Sequence, residues 1–506
     1  MLDNIILGFS TALSLNNLFY AFIGVFIGNV IGVIPGIGAM AAISMLLPLT
    51  YGIEPTAALM MLAGLYYGAT YGGAITTILL NLPGTPAHAV VCLDGHPLAK
   101  SGRAGSALLI AMLASGIGAS IGIILMMASG PSLVRIAFQF GPAEYFSLML
   151  LGLLAAATLT IGSPLKAISM IIIGIIAGLV GTDINTGVPR FTFGIMDLED
   201  GLAIVAVAMG LFGIADIFRN VDVSDDKQKV SDSKIGWRSL KLKKGEFKSS
   251  LSSITRSAGV GSFFGFLPGT GGSIASFMAY AVEKKVSKNK DNFGRGAIEG
   301  VASPESANSA AAQTAFIPTM TLGIPGDAVM ALMLGALMIH NIQPGPQMVV
   351  QHPDLFWGLI ASFWLGNVIL VLLNIPLIGV WVRLLTIPYR IIYPAVLLFI
   401  CIGAYSSSNN VHDIYVVLFI GIFGYIAILL RFDLAPMLLG FVLGPMLEEN
   451  FRRAMILSQG DLNVLISRPI SAFCLGIAAV LLIFSLYRQL TKTRSGFHKP
   501  LASSKI

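Results

Sequence analysis

The chain has 506 residues, 55% of them hydrophobic and only 11% charged, against roughly 25% charged in soluble domains. Its net charge is +6 and its mean hydropathy +0.83, so it carries too few charges to cover the surfaces that a soluble chain of this length must expose. These values exclude a soluble enzyme, a disordered chain and a nucleic-acid binder, and point to a polytopic membrane protein whose solvent is lipid.

No Lys or Arg precedes Lys100, whereas a cleavable secretory signal needs a basic start. The stretch 5–33 is therefore expected to be a retained membrane segment. Further apolar stretches cover 39–50, 56–82, 104–128, 143–162, 165–181 and 200–218. They resume at 257–281, 309–340, 355–381, 386–403, 411–430, 434–447 and 470–487. A crossing needs about 20 mainly apolar residues, so these predict about 12 transmembrane helices plus pieces too short to cross, clearest at 39–50 and 434–447. Continuous apolar runs, rather than short alternating ones, favour an all-α bundle over a barrel.

The polar connector 219–256 holds ten Lys/Arg and five acids and is expected in the cytoplasm by the positive-inside bias. It divides the chain into a membrane repeat at 1–218, the basic linker 219–256, a second membrane repeat at 257–490 and a cytoplasmic tail at 491–506. Cys92, Cys401 and Cys474 lie far apart and form no metal or disulfide pattern.

The two halves share a motif. Gly32–Gly38 and Gly265–Gly271 both read G-x-x-P-G-x-G, and Leu82-Pro83-Gly84-Thr85 is matched by Ile324-Pro325-Gly326-Asp327. Charge placement predicts that the halves are inverted. The loop 283–295 has five Lys/Arg and its counterpart 50–55 has none, while Lys100 and Arg103 are matched by 340–354, which has none.

Pro-Gly within an apolar segment breaks a helix. In lipid such a break is tolerated where it is enclosed by protein or lines a watery cavity. Freed N–H groups at half-helix starts suit carboxylates, and freed carbonyls suit a small cation. The expected substrate-binding residues are Pro35, Gly36, Ile37, Gly38, Asn81, Pro83, Gly84, Thr85, Pro268, Gly269, Thr270, Gly271, Gly272, Pro325 and Gly326. The expected cation ligands are Thr77, Asn308, Thr321 and Asp327, with Na⁺ or H⁺ as the coupling ion and no other cofactor. Further hydroxyl and amide groups flank the breaks, among them Thr70, Ser303, Ser306, Ser309 and Gln313, and about half of such small residues serve only close helix packing.

Intramembrane ionisable residues need separate weighing. Glu305 is near the polar insert at 283–295 and is expected to be partly solvated. Asp327 suits either a helix cap or a cation ligand. His88 is expected near a membrane surface in a structural role. Glu448, Glu449, Arg452 and Arg453 are expected to form a salt-bridged surface elbow after a short apolar segment. The Gly265–Gly272 run lacks the Lys-Ser/Thr ending of a phosphate loop, HExxH and an Arg-rich voltage-sensor helix are absent from the sequence, and no nucleophile–base pair or metal cluster stands out, so no enzyme is expected.

Several of these motifs together resemble the large membrane subunit of tripartite tricarboxylate transporters, the TctA family. They are Gly32–Gly38, Tyr66-Tyr67-Gly68 through Pro86, Gly265–Gly272, Ser303–Asn308, Gly323–Gly326, Leu443–Asn450 and Ser458–Asp461. The resemblance extends over about 10–490. It implies a multi-pass permease of the bacterial inner membrane, working with a small membrane subunit and a periplasmic solute-binding protein. Such permeases import carboxylates such as citrate by Na⁺ or H⁺ symport. The residues themselves also fit an ion or solute channel. They leave self-association open and offer no nucleic-acid partner.

Overall fold

A computed structural model describes residues 2–34, 38–159, 163–183, 185–220, 235–236, 239–385 and 389–496. The protein is 81% helical. The first half comprises α1 (Leu2–Ala12), α2 (Leu15–Val33), α3 (Ala39–Leu46), α4 (Pro55–Leu80), α5 (Cys92–Leu98), α6 (Ala104–Ala137), α7 (Pro142–Leu159), α8 (Pro164–Gly178), α9 (Ile204–Ala208) and α10 (Ala215–Asn220). The second begins with α11 (Glu246–Phe266), α12 (Gly271–Val286), α13 (Ile298–Thr314), α14 (Phe316–Leu322), α15 (Ala328–Ile339) and α16 (Pro346–Gln351). It ends with α17 (Pro353–Leu384), α18 (Tyr389–Ser408), α19 (His412–Leu429), α20 (Ala435–Leu457), α21 (Val464–Ser467) and α22 (Pro469–Gly496). Among the described residues the sheet is one antiparallel pair, β1 (Gly181–Thr182) with β2 (Pro189–Arg190), in register Gly181↔Arg190.

Among the described residues, four helical stretches are long and apolar enough to cross a bilayer: Leu15–Val33, Cys92–Ala137, Pro353–Leu384 and His412–Leu429. Six shorter apolar helices accompany them, because several apolar runs of the sequence are interrupted. Outward-facing Phe419, Leu429, Val480 and Ile483 leave large apolar surfaces exposed, as a lipid-facing bundle requires. The protein is an all-α, multi-pass membrane protein.

The close packing at the centre repeats at matching positions in both halves. On α2, a methyl group on Gly28 or Gly32 would overlap the carbonyl oxygen of Leu65 or Ala69 on α4. On α11, a methyl on Gly261 would overlap the Ala307 carbonyl oxygen, and one on Gly265 would overlap the Thr314 hydroxyl and crowd the Ala311 carbonyl oxygen on α13. The shift from Gly28 to Gly261 equals that from Pro35 to Pro268, and the shift from Leu65 to Ala307 equals that from Pro83 to Pro325. Glycine brings the two backbones together without a side chain between them, the usual device for helix contact in membranes. The helix ends also correspond. The α4 helix stops at Leu80 with Asn81 left-handed (φ 59°), and α14 stops at Leu322 with Gly323 left-handed (φ 66°). At the equivalent Thr77 and Thr319 each hydroxyl donates to the carbonyl four residues earlier, Gly73 and Ala315, at 2.7 Å.

A buried carboxylate ties the halves together beside this core. Asp94 of α5 accepts N–H bonds from Gly294, Gly296 and Ala297 at 2.8–2.9 Å and the Tyr280 hydroxyl at 2.8 Å. Each donor left buried without a partner would cost about 1–3 kcal/mol, so this clasp fixes the 294–297 turn against the first half.

The charged elbow differs from expectation in one respect. The α20 helix does not end near 447 but runs through Pro445 to Leu457, because the charges pair along it. Glu448 bonds Arg452 one turn on (2.6 Å) and Arg190 of β2 (2.8 Å), and Arg452 reaches Asp183 (3.0 Å). The Asn185 backbone N–H, the Thr186 hydroxyl and the Arg452 guanidinium hold the Asp183 carboxyl below its ordinary range, against the opposing effect of burial.

Candidate functional site: a cavity ringed by helix starts

The broken segments converge on one cavity of about 240 Å³. Its wall contains the first residues of four α-helices: Ala39 and Met40 of α3, Gly271–Ile274 of α12, Ala328 and Val329 of α15, and Ala435 and Pro436 of α20. The start of the short 3₁₀ helix Pro86–Val90 contributes Pro86 and Ala87. First-turn N–H groups have no partner within their own helix, and each start carries about half a positive charge. Five helix starts thus face one cavity, those of α15 and α20 already capped by the carboxylates of Asp327 and Asp433. Among the described residues lining it there is no Lys, Arg or His.

The polar side chains on the wall are Tyr66, Thr70, Thr85, Thr270, Ser273, Asn308, Asp327 and Asp433. Asp327 caps α15, its Oδ1 accepting the Met330 N–H at 2.9 Å. Asp433 sits before α20 and accepts the Ala435 N–H at 3.1 Å. Glycine is required where the chain turns. Gly269 (φ +80°) and Gly271 (φ +61°) are left-handed, and a methyl on Gly269 would overlap the Gly152 carbonyl oxygen and lie 2.6 Å from the Ala156 nitrogen of α7. Gly272 packs directly under the Asn308 carboxamide.

Of the residues expected from the sequence, Gly38, Gly84, Thr85, Gly269, Thr270, Gly271, Gly272, Asn308 and Asp327 line the cavity. Pro35, Gly36 and Ile37 lie outside the described residues. Asn81, Pro83, Pro268, Pro325 and Gly326 shape the turns without appearing on the cavity wall. Thr77 and Thr321 are also off the wall, and each hydroxyl donates to its own helix backbone, at Gly73 and Ile317. Sequence reasoning missed Tyr66 and Ala156 as wall residues, and it missed the α20 start. The Asp433-Leu434-Ala435-Pro436 run carries the helix-start signature of an acidic cap followed by proline.

Two further ionisable residues are enclosed by protein, Glu305 against expectation. Glu305 is 1% exposed rather than solvated by the polar insert, because α13 is buried on every side. His88 is fully buried within the protein, because the 86–90 turn folds back beneath α4, where Gly73 leaves room for the ring.

The model of the tripartite tricarboxylate transporter TctA family matches residues 18–439. The chain belongs to the TctA family. It is 48% identical over 497 residues, 98% of both chains, to an Agrobacterium vitis protein described as an uncharacterized 52.8 kDa protein in the TAR-I ttuC' 3' region. It is 55% identical over 234 residues to a second A. vitis protein, described as uncharacterized in the TAR-II ttuC' 3' region, covering 97% of that protein and 46% of this chain. No solved structure matches the chain. As a TctA protein it is a membrane component of a tripartite tricarboxylate transporter, and so a transporter component rather than an enzyme.

Proposed function

We propose that this chain is the large permease subunit of a cation-coupled carboxylate importer of the bacterial inner membrane. It receives citrate or a related di- or tricarboxylate from a periplasmic binding protein, beside a small membrane subunit. The observation that carries this reading is the cavity wall, with five helix starts and no basic side chain. Such a wall favours anions through N–H groups whose geometry is fixed, and it spends no lysine or arginine that would have to be desolvated on each cycle. The same wall carries Asp327 and Asp433. Two carboxylates repel an incoming anion unless a cation neutralises them, and Asp327 with Asn308 offers oxygen ligands for Na⁺. Cation and carboxylate then enter together, which is the condition for symport.

Alternating access follows from the repeat. Two halves of opposite orientation share the cavity, and rocking one against the other opens it to each side in turn. Cysteine introduced at Gly52 and at Asn289 checks the orientation: the two positions label from opposite membrane faces, and labelling of both from one face contradicts the inversion. Function is tested in proteoliposomes holding the complete tripartite system, with a panel of di- and tricarboxylates, with and without Na⁺. Saturable uptake of at least one carboxylate that depends on a cation gradient supports the carrier. Flux that does not saturate, at conductance-like rates, supports a channel instead.

A further inference from the structure

Beside the cavity, but off its wall, lies a buried pair of titratable side chains. His88 Nε2 and Glu305 Oε1 face each other at 3.7 Å, and both side chains are completely enclosed. Neither of these two atoms has a hydrogen-bond partner. The far side of each is held: His88 Nδ1 lies 2.8 Å from the Thr85 hydroxyl, and Glu305 Oε2 accepts the Ser115 hydroxyl at 3.0 Å. Thr85 is itself a wall residue of the cavity. The polar chain therefore runs from the cavity through Thr85 and His88 to Glu305 and Ser115. A hollow of about 10 Å³, lined in part by Tyr71 and Ser115, adjoins its far end.

The surrounding ionisable groups are engaged elsewhere. Tyr71 of α4 donates to Asn367, Asp94 of α5 takes four donors, Tyr280 of α12 donates to Asp94, and Glu283 of α12 pairs with Arg256 of α11. On α13 itself Glu299 accepts from Asn289. On α5 His96 meets the Ile78 carbonyl. None of these partners is a cation available to Glu305. By charge arithmetic a neutral imidazole beside the carboxylate carries −1, and the pair is neutral only with one further proton, as imidazolium with carboxylate or as imidazole with carboxylic acid. A buried carboxylate stripped of that proton, with no cation beside it, is strongly disfavoured.

We propose that His88 and Glu305 form a proton-carrying site that couples carboxylate movement to a proton. This deepens the transport reading above and rests on it. A proton from the aqueous side reaches His88 by way of the cavity and Thr85. The Thr85 hydroxyl hands it to Nδ1 while taking a proton from the cavity side, and the ring becomes imidazolium. Its Nε2–H bond breaks as the Oε1–H bond forms, leaving the neutral Nδ1–H ring. When the rocking of the halves hydrates the pair from the other side, Oε1 releases the proton and the ring returns to its Nε2–H form by exchange with water. The enclosed state then forms only with the proton aboard, so an unprotonated carrier cannot cross empty of it.

The test uses the complete tripartite system in proteoliposomes, with citrate as probe and equal Na⁺ on both sides. External pH is fixed so that citrate speciation does not change, and only internal pH is varied. An alkaline interior speeds wild-type uptake roughly tenfold, and Glu305→Gln and His88→Gln each abolish that response while citrate-for-citrate exchange remains measurable. Exchange shows that a variant is folded and binds substrate, and should Glu305→Gln lack it, His88→Gln decides. A wild-type rate indifferent to internal pH, or a folded variant that responds like wild type, overturns the proton site and leaves the carrier standing. Absence of uptake of citrate and of every other carboxylate by wild type defeats the transport reading and this one with it.

Discussion

Replacing Asp327 with asparagine is expected to raise the Na⁺ concentration needed for half-maximal uptake by about 100-fold, since a hydrogen bond or ligand contact from a charged group is worth roughly 1.5–3 kcal/mol more than none. The substitution isolates charge from structure. Asp327 accepts the Met330 N–H at the start of α15, and asparagine caps a helix as well as aspartate does. The helix therefore stays in place while the cavity loses one of its two carboxylates. Thermal unfolding of the purified variant in detergent should be close to that of wild type. Alanine at the same position removes the cap as well, at a cost of about 0.5–2 kcal/mol, and is expected to lower both stability and uptake. An unaltered Na⁺ dependence in Asp327→Asn would show that the cation binds elsewhere.

Gly269→Leu is expected to reduce uptake to background while the protein still inserts. Two effects combine at this position. The left-handed backbone costs a residue with a side chain about 1–2 kcal/mol, and the first carbon of that side chain would collide with the Gly152 carbonyl oxygen and the Ala156 nitrogen. Both atoms belong to the backbone of α7, so no rotamer change relieves the clash. Either α7 or the α12 start must move, and both line or border the cavity. Gly102 is the internal comparison. It has the same φ of +80° with nothing within 4 Å of the missing side chain, so Gly102→Leu carries the backbone strain alone and should keep most of its uptake. Equal uptake by the two variants in radiolabelled-citrate assays would mean that α7 tolerates displacement and that the close approach at Gly269 has no part in transport.

The interrupted spans were legible in the sequence because their cause is local. A Pro-Gly pair in an apolar run stops a helix wherever it falls, and the order of the motifs in the two halves revealed the repeat that the glycine contacts of α2–α4 and α11–α13 reproduce. What could not be read depends on long-range placement. The α20 start joins the cavity from 433–439, far along the chain from the motifs it meets. The depth of Glu305 was hidden for a different reason. The α13 helix is buried over its whole length and its polar residues bond to neighbouring helices, as Ser306 does to the Ile254 carbonyl and Gln313 to the Tyr67 hydroxyl. It therefore shows no amphipathic period from which an inner face could be inferred. Thr77 and Thr321 show a local constraint that the sequence does not display. Their hydroxyls look available as ligands in the sequence, yet in a helix a threonine readily returns its hydroxyl to the carbonyl one turn back.

A density map of the assembled transporter with citrate bound tests the central claim most directly. The map should show a carboxylate lodged against the backbone N–H groups at the starts of α3, α12, α15 and α20, with Asp327 turned toward a cation and no lysine or arginine in contact. Citrate held instead by basic side chains outside this cavity, with the helix starts facing only protein or lipid, would contradict it.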